Sequence, residues 1–286
     1  MKTRNVRRAM FAGSWYPSSA AACEREIAGF LAEAANIRHP ERKLAGGIVP
    51  HAGWYFSGSI ACNVINLLKD REPPDVIAVF GMHLRPGSAC YLMPEGAWET
   101  PFGEIPVAEK LAGELAAKFS FKLETPDRFA QDNTVELQLP FIKYFFPEAK
   151  IVAMGVPPEK SSLQIGKALV NIAAQIGVKV KVIGSTDLTH YGSNYGFTSQ
   201  GTGQRAVDWV RNENDRRVID AMLALEPEKV ISEALVHQNA CCAGAAATAI
   251  EAAKNLGAVQ ADEIAYATSY DKSPGDSFVG YVGIVM

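Results

Sequence analysis

Several things are scarce in this sequence, and each absence excludes a class of protein. It holds five cysteines, an odd count, with no CxxC pair. That argues against a disulfide framework and fits a reducing compartment. Formal net charge is −3, so the basic excess of a nucleic-acid binder is missing and no such partner is expected. No apolar run approaches the roughly 20 residues that span a bilayer. The basic start, residues 1–8, lacks the apolar stretch of a signal peptide. No membrane partner is expected, and the expected location is cytoplasmic. No G-x-G-x-x-G follows a predicted strand, there is no phosphate loop, and Gly184-Ser185-Thr186 is not a G-x-S-x-G elbow.

What is present is an ordinary globular composition over 286 residues, enough to bury a full core. Apolar runs bounded by turn residues predict strands over 44–49, 75–81, 90–93, 150–155, 178–184, 263–269 and 278–286. Helical spacing predicts helices over 20–35, 57–69, 107–117, 161–174, 204–225, 227–235 and 243–256, the first capped by Ser18 or Ser19. Residues 94–103 read as a turn-rich loop, and 192–203, rich in glycine, as a loop over the site. The alternation predicts a single three-layer α/β/α domain over 1–286 with a mostly parallel or mixed central sheet. The two late strands would add an antiparallel edge.

Histidine is also scarce, with five in the chain, yet His51, His83 and His190 each follow a predicted strand. In open α/β sheets that rim is where ligands bind. His39 reads as part of a solvated loop, and His237 carries no assigned role. Imidazole suits Fe, Cu, Zn and Ni, and two histidines with one anionic ligand form a facial site with open positions. Asp187, Glu136 and Cys241 are candidates for the third ligand, and spacing alone does not choose between carboxylate and thiolate. Asp187, three residues before His190, is expected to hydrogen-bond that ring and fix its tautomer. Cys241 precedes a helix, whose N-terminus favours a thiolate. Cys242, like Cys23, Cys62 and Cys90, reads as a small core residue. Cys241, His190 and Asp187 also contain the residue types of a cysteine hydrolase. Trp15, Trp54, Tyr55, Trp98 and Tyr191 are candidates for aromatic pocket walls, with core packing the competing role.

Six ordered motifs carry a resemblance: Ala12-Gly13-Ser14-Trp15-Tyr16-Pro17, Val49-Pro50-His51-Ala52-Gly53-Trp54, residues 94–101, Val135-Glu136-Leu137-Gln138-Leu139-Pro140-Phe141, Ser185-Thr186-Asp187-Leu188-Thr189-His190-Tyr191 and Tyr266-Ala267-Thr268-Ser269. On these the chain resembles the Memo family over nearly its whole length. That family is similar in fold to the class III extradiol dioxygenases, which open catechol rings with non-haem Fe(II).

The resemblance implies a metal site of His51, His83 and Cys241. It also implies that His190 lies in the same pocket, where the dioxygenases keep an acid–base histidine, here with Asp187 beside it. Cys241 is chosen over Cys242 by its spacing to Lys254 and Gly257. The expected cofactor is Fe(II), with Cu or Zn as alternatives, and the expected activity is a dioxygenase or other oxidoreductase on a small molecule. A non-catalytic scaffold binding a metal or a peptide is the alternative, since the family is also linked to peptide binding and to copper or iron handling. Three departures stand out. Gly81-Met82-His83 is one residue shorter than the usual Gly-Pro-x-His. Asp132-Asn133-Thr134 replaces a Glu-His-Ser, so one pocket histidine is absent. Cys242-Ala243-Gly244-Ala245 replaces a Gly-x-Gly-Pro.

Overall fold

The computed structural model describes residues 5–34, 40–69 and 73–286. His39 lies outside them. In chain order, β1 (Val6–Arg7) and α1 (Ala20–Glu33) lead to β2 (Gly46–Val49), α2 (Ser59–Leu67) and β3 (Val76–Gly81). Next come β4 (Cys90–Leu92), β5 (Ala97–Thr100), β6 (Gly103–Pro106), α3 (Glu109–Lys118) and β7 (Phe121–Leu123). The short α4 (Asn133–Glu136) and α5 (Leu139–Phe145) precede β8 (Lys150–Gly155), α6 (Lys160–Gln175) and β9 (Val180–Ser185). The last third holds β10 (His190–Tyr191), α7 (Gln204–Trp209), α8 (Asp215–Leu223), α9 (Pro227–His237), α10 (Ala243–Asn255), β11 (Asp262–Thr268) and β12 (Phe278–Val285). Single π-helical turns, Trp54–Gly58 and Val210–Asn214, run into α2 and α8.

The expected α/β/α sandwich is what forms. Strands β2, β9, β3 and β8 are adjacent and parallel. They are buried on both faces, apart from Lys150 at the start of β8, which is why they read as continuous apolar runs rather than alternating ones. The main sheet is mixed: β4 joins β8 antiparallel, and β12 joins β2 antiparallel. The late strands add the expected antiparallel edge beyond β2. β12 is flanked on both sides and β11 takes the outer position. The stretch 94–103, expected as loop, instead makes much of a small second sheet in the order β1-β5-β6. Its strands have two to four residues, too short to show a period-2 pattern.

Helices α1, α2 and α5 cover one face of the sheet, and α3, α6, α8, α9 and α10 the other. Small residues set how close they come. A Cβ on Gly47 would meet Val64 of α2 at 2.5 Å, and one on Gly184 would meet Ala249 of α10 at 2.9 Å. The alanine-rich α10 is buried from Ala243 to Ile250 and again at Ala252 and Ala253, so its axis lies tight on β9. Among the described residues no helix is long and apolar enough to cross a membrane.

Candidate metal centre

Three parallel strands end side by side in the order β2, β9, β3. Two residues past each end stand His51, Asp187 and His83. Strand order therefore puts the two histidines on either side of Asp187, and their rings meet edge to face with centroids 4.9 Å apart. The turn after β2 is held through its backbone. His51 N–H donates to Asp187 Oδ1 at 2.7 Å, while Pro50 and His51 carbonyls accept from Gln138 and Asn133 at 2.9 Å each.

The expected Asp187–His190 hydrogen bond does not form. Asp187 is committed to the His51 backbone, and His190 Nδ1–H donates to the Leu188 carbonyl at 3.1 Å. Residues 187–190 run extended beside β12, with Leu188 N–H on Gly280 O and Gly280 N–H on Thr189 O. In extended chain a three-residue step spans about 10 Å, so Asp187 and His190 border the same cleft without coming within hydrogen-bond reach.

Both histidines have their tautomer set by a neighbour. His51 Nδ1 lies 3.0 Å from Ser185 Oγ, whose own proton goes to the Thr134 carbonyl at 2.7 Å. Ser185 therefore accepts from Nδ1–H, and His51 Nε2 is free to bind. His83 Nδ1 faces Asp132 Oδ2 at 3.3 Å, and Asp132 is itself oriented by the backbone N–H of Thr134 at 2.9 Å. A histidine with its far nitrogen tied to a carboxylate or hydroxyl is the usual arrangement for a metal ligand. Burial lowers the basicity of His83, but the hydrogen bond to Asp132 and the contact with Cys241 outweigh it and raise its pKa to about 10.

The shortened loop still delivers His83. Met82 adopts a left-handed conformation, φ 71°, and its N–H donates to Thr134 Oγ1 at 2.7 Å. Its side chain lies over Gly155 of β8, where a Cβ would overlap it. The missing residue is made up by one strained backbone unit and one cradle without a side chain.

Cys241 arrives from the opposite direction. Its N–H donates to Asp187 O at 3.1 Å, and that of Cys242 to Thr186 Oγ1 at 3.1 Å. The start of α10 is thereby pinned to the end of β9. Cys241 Sγ lies 3.2 Å from His51 Nε2 and 3.7 Å from Cys242 Sγ. Burial alone would push the Cys241 thiol up. The hydrogen bond from Cys242, the charge and hydrogen bond of His51 and a hydrogen bond from His83 reverse this and hold it well below the ordinary range, while burial and the Cys241 thiolate push Cys242 up. One ligand atom each from His51, His83, Cys241 and Cys242 lie within 4.8 Å of one another. Imidazole nitrogen with thiolate sulfur is a donor set for Zn, Cu or Fe, so the residues fit a metal ion.

Glu136 is not among them. Its carboxylate accepts from Phe11 N–H at 2.7 Å and Tyr16 O–H at 3.0 Å, which ties the 11–16 turn to α4. The cysteine-hydrolase arrangement is not built either, because the imidazole against Cys241 is that of His51. His237 pairs with Glu233 on α9.

A cleft of about 560 Å³ opens above the cluster, lined in part by His51, His83, Asn133, Asp187 and His190. Of the expected aromatic walls, Trp15 and Tyr55 line it. Trp54 stacks on Phe141 at 4.1 Å, Trp98 lies under Arg7, and Tyr191 packs on Phe278, all in buried positions. Tyr195, Tyr281 and the hydroxyls of Ser269, Ser273 and Ser277 complete the wall. Sequence reasoning missed these, and missed Ser185, Asp132 and Cys242. The position of Ser185 as the last residue of β9 was a usable signal.

The chain matches the family described as Memo-like protein over residues 7–285. It belongs to the Memo family. A MEMO1 family protein of Pyrococcus furiosus is 32% identical, over 98% of this chain and 99% of that one. Another, from Thermococcus onnurineus, is 31% identical with the same coverage. Memo-family membership thus extends across the whole site, from the turn at His51 to Cys241 in the turn before α10. A crystal structure of an uncharacterized protein from Escherichia coli K12 superposes with a TM-score of 0.52, over 84% of this chain and 99% of that chain, at 11% identity. At that identity it supports the α/β fold alone.

Proposed function

We propose that His51, His83 and Cys241 hold one metal ion, Fe(II) first and copper or zinc as alternatives, in a pocket that oxidises a small substrate. The observation that carries this reading is the convergence of His51 Nε2 and Cys241 Sγ at 3.2 Å with the ring of His83, each imidazole tied back through Nδ1. When bound, the ion supplies a Lewis-acid and redox centre with positions open for substrate and O2.

The remaining roles belong to the protein. Asp187 holds the turn that carries His51, and its charge lies 3.9 Å from Nε2. His190 spends its Nδ1 proton on Leu188 O, which leaves Nε2 to take up and return a substrate proton. A positioned group of this kind is worth roughly 10²–10⁴ in rate. Trp15, Tyr55, Tyr195 and Tyr281 line the cleft and offer faces for a ring. The cleft's 560 Å³ lies in the range of small-molecule sites, about 300–1,000 Å³.

The test is metal content after anaerobic purification, followed by O2 uptake with a panel of catechols. Wild type is expected to carry an ion that His51→Ala loses, and His190→Ala to keep the ion but lose turnover. Sub-stoichiometric metal in both wild type and His51→Ala ends the reading. A second reading, a non-catalytic metal or peptide binder, is favoured by the second sulfur of Cys242 in the cluster, since sulfur-rich sites suit softer ions. Stoichiometric Cu(I) without O2 uptake on any catechol would select it.

A further inference from the structure

We propose that Cys242 is a fourth donor to the ion held by His51, His83 and Cys241, which makes the resting site a two-histidine, two-thiolate tetrahedron for a thiophilic cation such as Zn(II) or Cu(I). This rests on the second reading above, a non-catalytic metal binder, because four protein donors leave a tetrahedral ion no open position for substrate or O2, and it goes beyond that reading in donor count and geometry.

The distances carry the inference. In a tetrahedron with metal–sulfur bonds of about 2.3 Å, two sulfurs stand about 3.8 Å apart. Cys241 Sγ and Cys242 Sγ are 3.7 Å apart. With metal–nitrogen bonds of about 2.0–2.1 Å, a nitrogen–sulfur edge is about 3.5 Å, and His51 Nε2 to Cys241 Sγ is 3.2 Å. A ligand atom of each of the four residues falls within 4.8 Å of the other three, against edges of about 3.3–3.8 Å in the closed tetrahedron, so the wider-set donors close in by up to about 1 Å when an ion binds.

Preorganisation supports it. Side chains of consecutive residues in extended chain diverge, whereas here the turn before α10 makes both sulfurs converge. That turn is fixed from the sheet by the Cys241 N–H on Asp187 O and the Cys242 N–H on Thr186 Oγ1. Packing alone would ask only for a small side chain at 242, and would not bring its sulfur against that of Cys241. Cys242 is 3% exposed and does not line the cleft. It therefore approaches the ion from the helix side, while Asp187 and His190 face it from the cleft side. On binding, the Cys242 thiol gives its proton to solvent and its sulfur lone pair to the metal, with no change of oxidation state.

The full-length protein is loaded with Co(II) under anaerobic conditions. Wild type is expected to show thiolate-to-cobalt absorption that falls to about half per bound cobalt in Cys242→Ala. Affinities for Zn(II) and Cu(I), read by competition with chromophoric chelators, should weaken by tenfold or more, about the lower bound for losing even an outer-shell partner. Cys242→Ser keeps the volume and reports whether the metal-free fold has changed. Zinc-edge X-ray absorption on unmodified protein needs no variant: two sulfur neighbours are expected, and one overturns the proposal. Unchanged cobalt absorption in Cys242→Ala overturns it as well. Wild type that binds none of the three ions defeats the pocket reading itself, whereas tight binding through a single sulfur defeats only the fourth donor.

Discussion

Ser185 Oγ lies 3.0 Å from Nδ1 of His51 and gives its only proton to the Thr134 carbonyl 2.7 Å away. It can therefore only accept from the ring, and the lone pair of His51 is confined to Nε2, the atom that faces Cys241. One hydroxyl at the end of β9 thus decides which imidazole nitrogen is available to a metal.

Replacing that hydroxyl tests the relationship. Ser185→Ala leaves Nδ1–H and the Thr134 carbonyl without partners in a buried site, at a cost of about 1–3 kcal/mol. It also frees the ring to change tautomer. Metal affinity is expected to fall by about 10–100-fold, measured by competition with a chromophoric chelator, with far-ultraviolet circular dichroism unchanged. Wild-type affinity in a folded Ser185→Ala protein would show that the hydroxyl does not set the ligand atom.

Met82 and Gly155 form the second relationship to test. The left-handed Met82 precedes His83, and its side chain occupies the space a Cβ on Gly155 would need. Gly155→Ala forces Met82 off its place, at a cost typical of overpacking, about 1–3 kcal/mol. Because Met82 N–H is tied to Thr134 Oγ1, His83 should shift with it and metal affinity should fall. The checks are a denaturant midpoint and the same competition titration. Lost stability with unchanged affinity would mean that His83 is placed independently of Met82.

A pH effect follows from Asp215, at the start of α8. Burial raises its pKa to about 6; hydrogen bonds from Thr189 N–H, Thr189 O–H and Tyr266 O–H, and the charge of His190, offset only part. In the unfolded chain the carboxyl titrates near 3.8. Between these values the folded state keeps a proton that the unfolded state has lost. Stability is therefore complete below the unfolded pKa and falls as pH rises through about 6, by on the order of 3 kcal/mol. Asp215→Asn should flatten that segment of the curve, read as the difference in unfolding free energy between the two proteins from about pH 4 to about pH 7. A difference that does not change with pH would place the Asp215 pKa in the ordinary range. Since Thr189 adjoins His190, the same ionisation bears on the segment that carries that ring.

The sequence by itself determined that β2, β3 and β9 are buried strands and that His51 and His83 follow strand ends, whereas His190, expected at a strand end as well, instead opens β10. Those are local facts, written in continuous apolar runs and in Pro50, Gly81 and Gly184. It also determined that Cys241 precedes an alanine-rich helix able to lie close to a sheet. Only the tertiary structure decided which groups meet. The order β2-β9-β3 set His51 and His83 around Asp187, and the backbone bonds from α10 to β9 brought in a cysteine 190 positions away from His51. Strand order and crossover packing are non-local, so spacing could not choose Cys241 over Glu136. Nor could it give Asp187 to His51 rather than His190, or turn Cys242 from a presumed core residue toward the cluster.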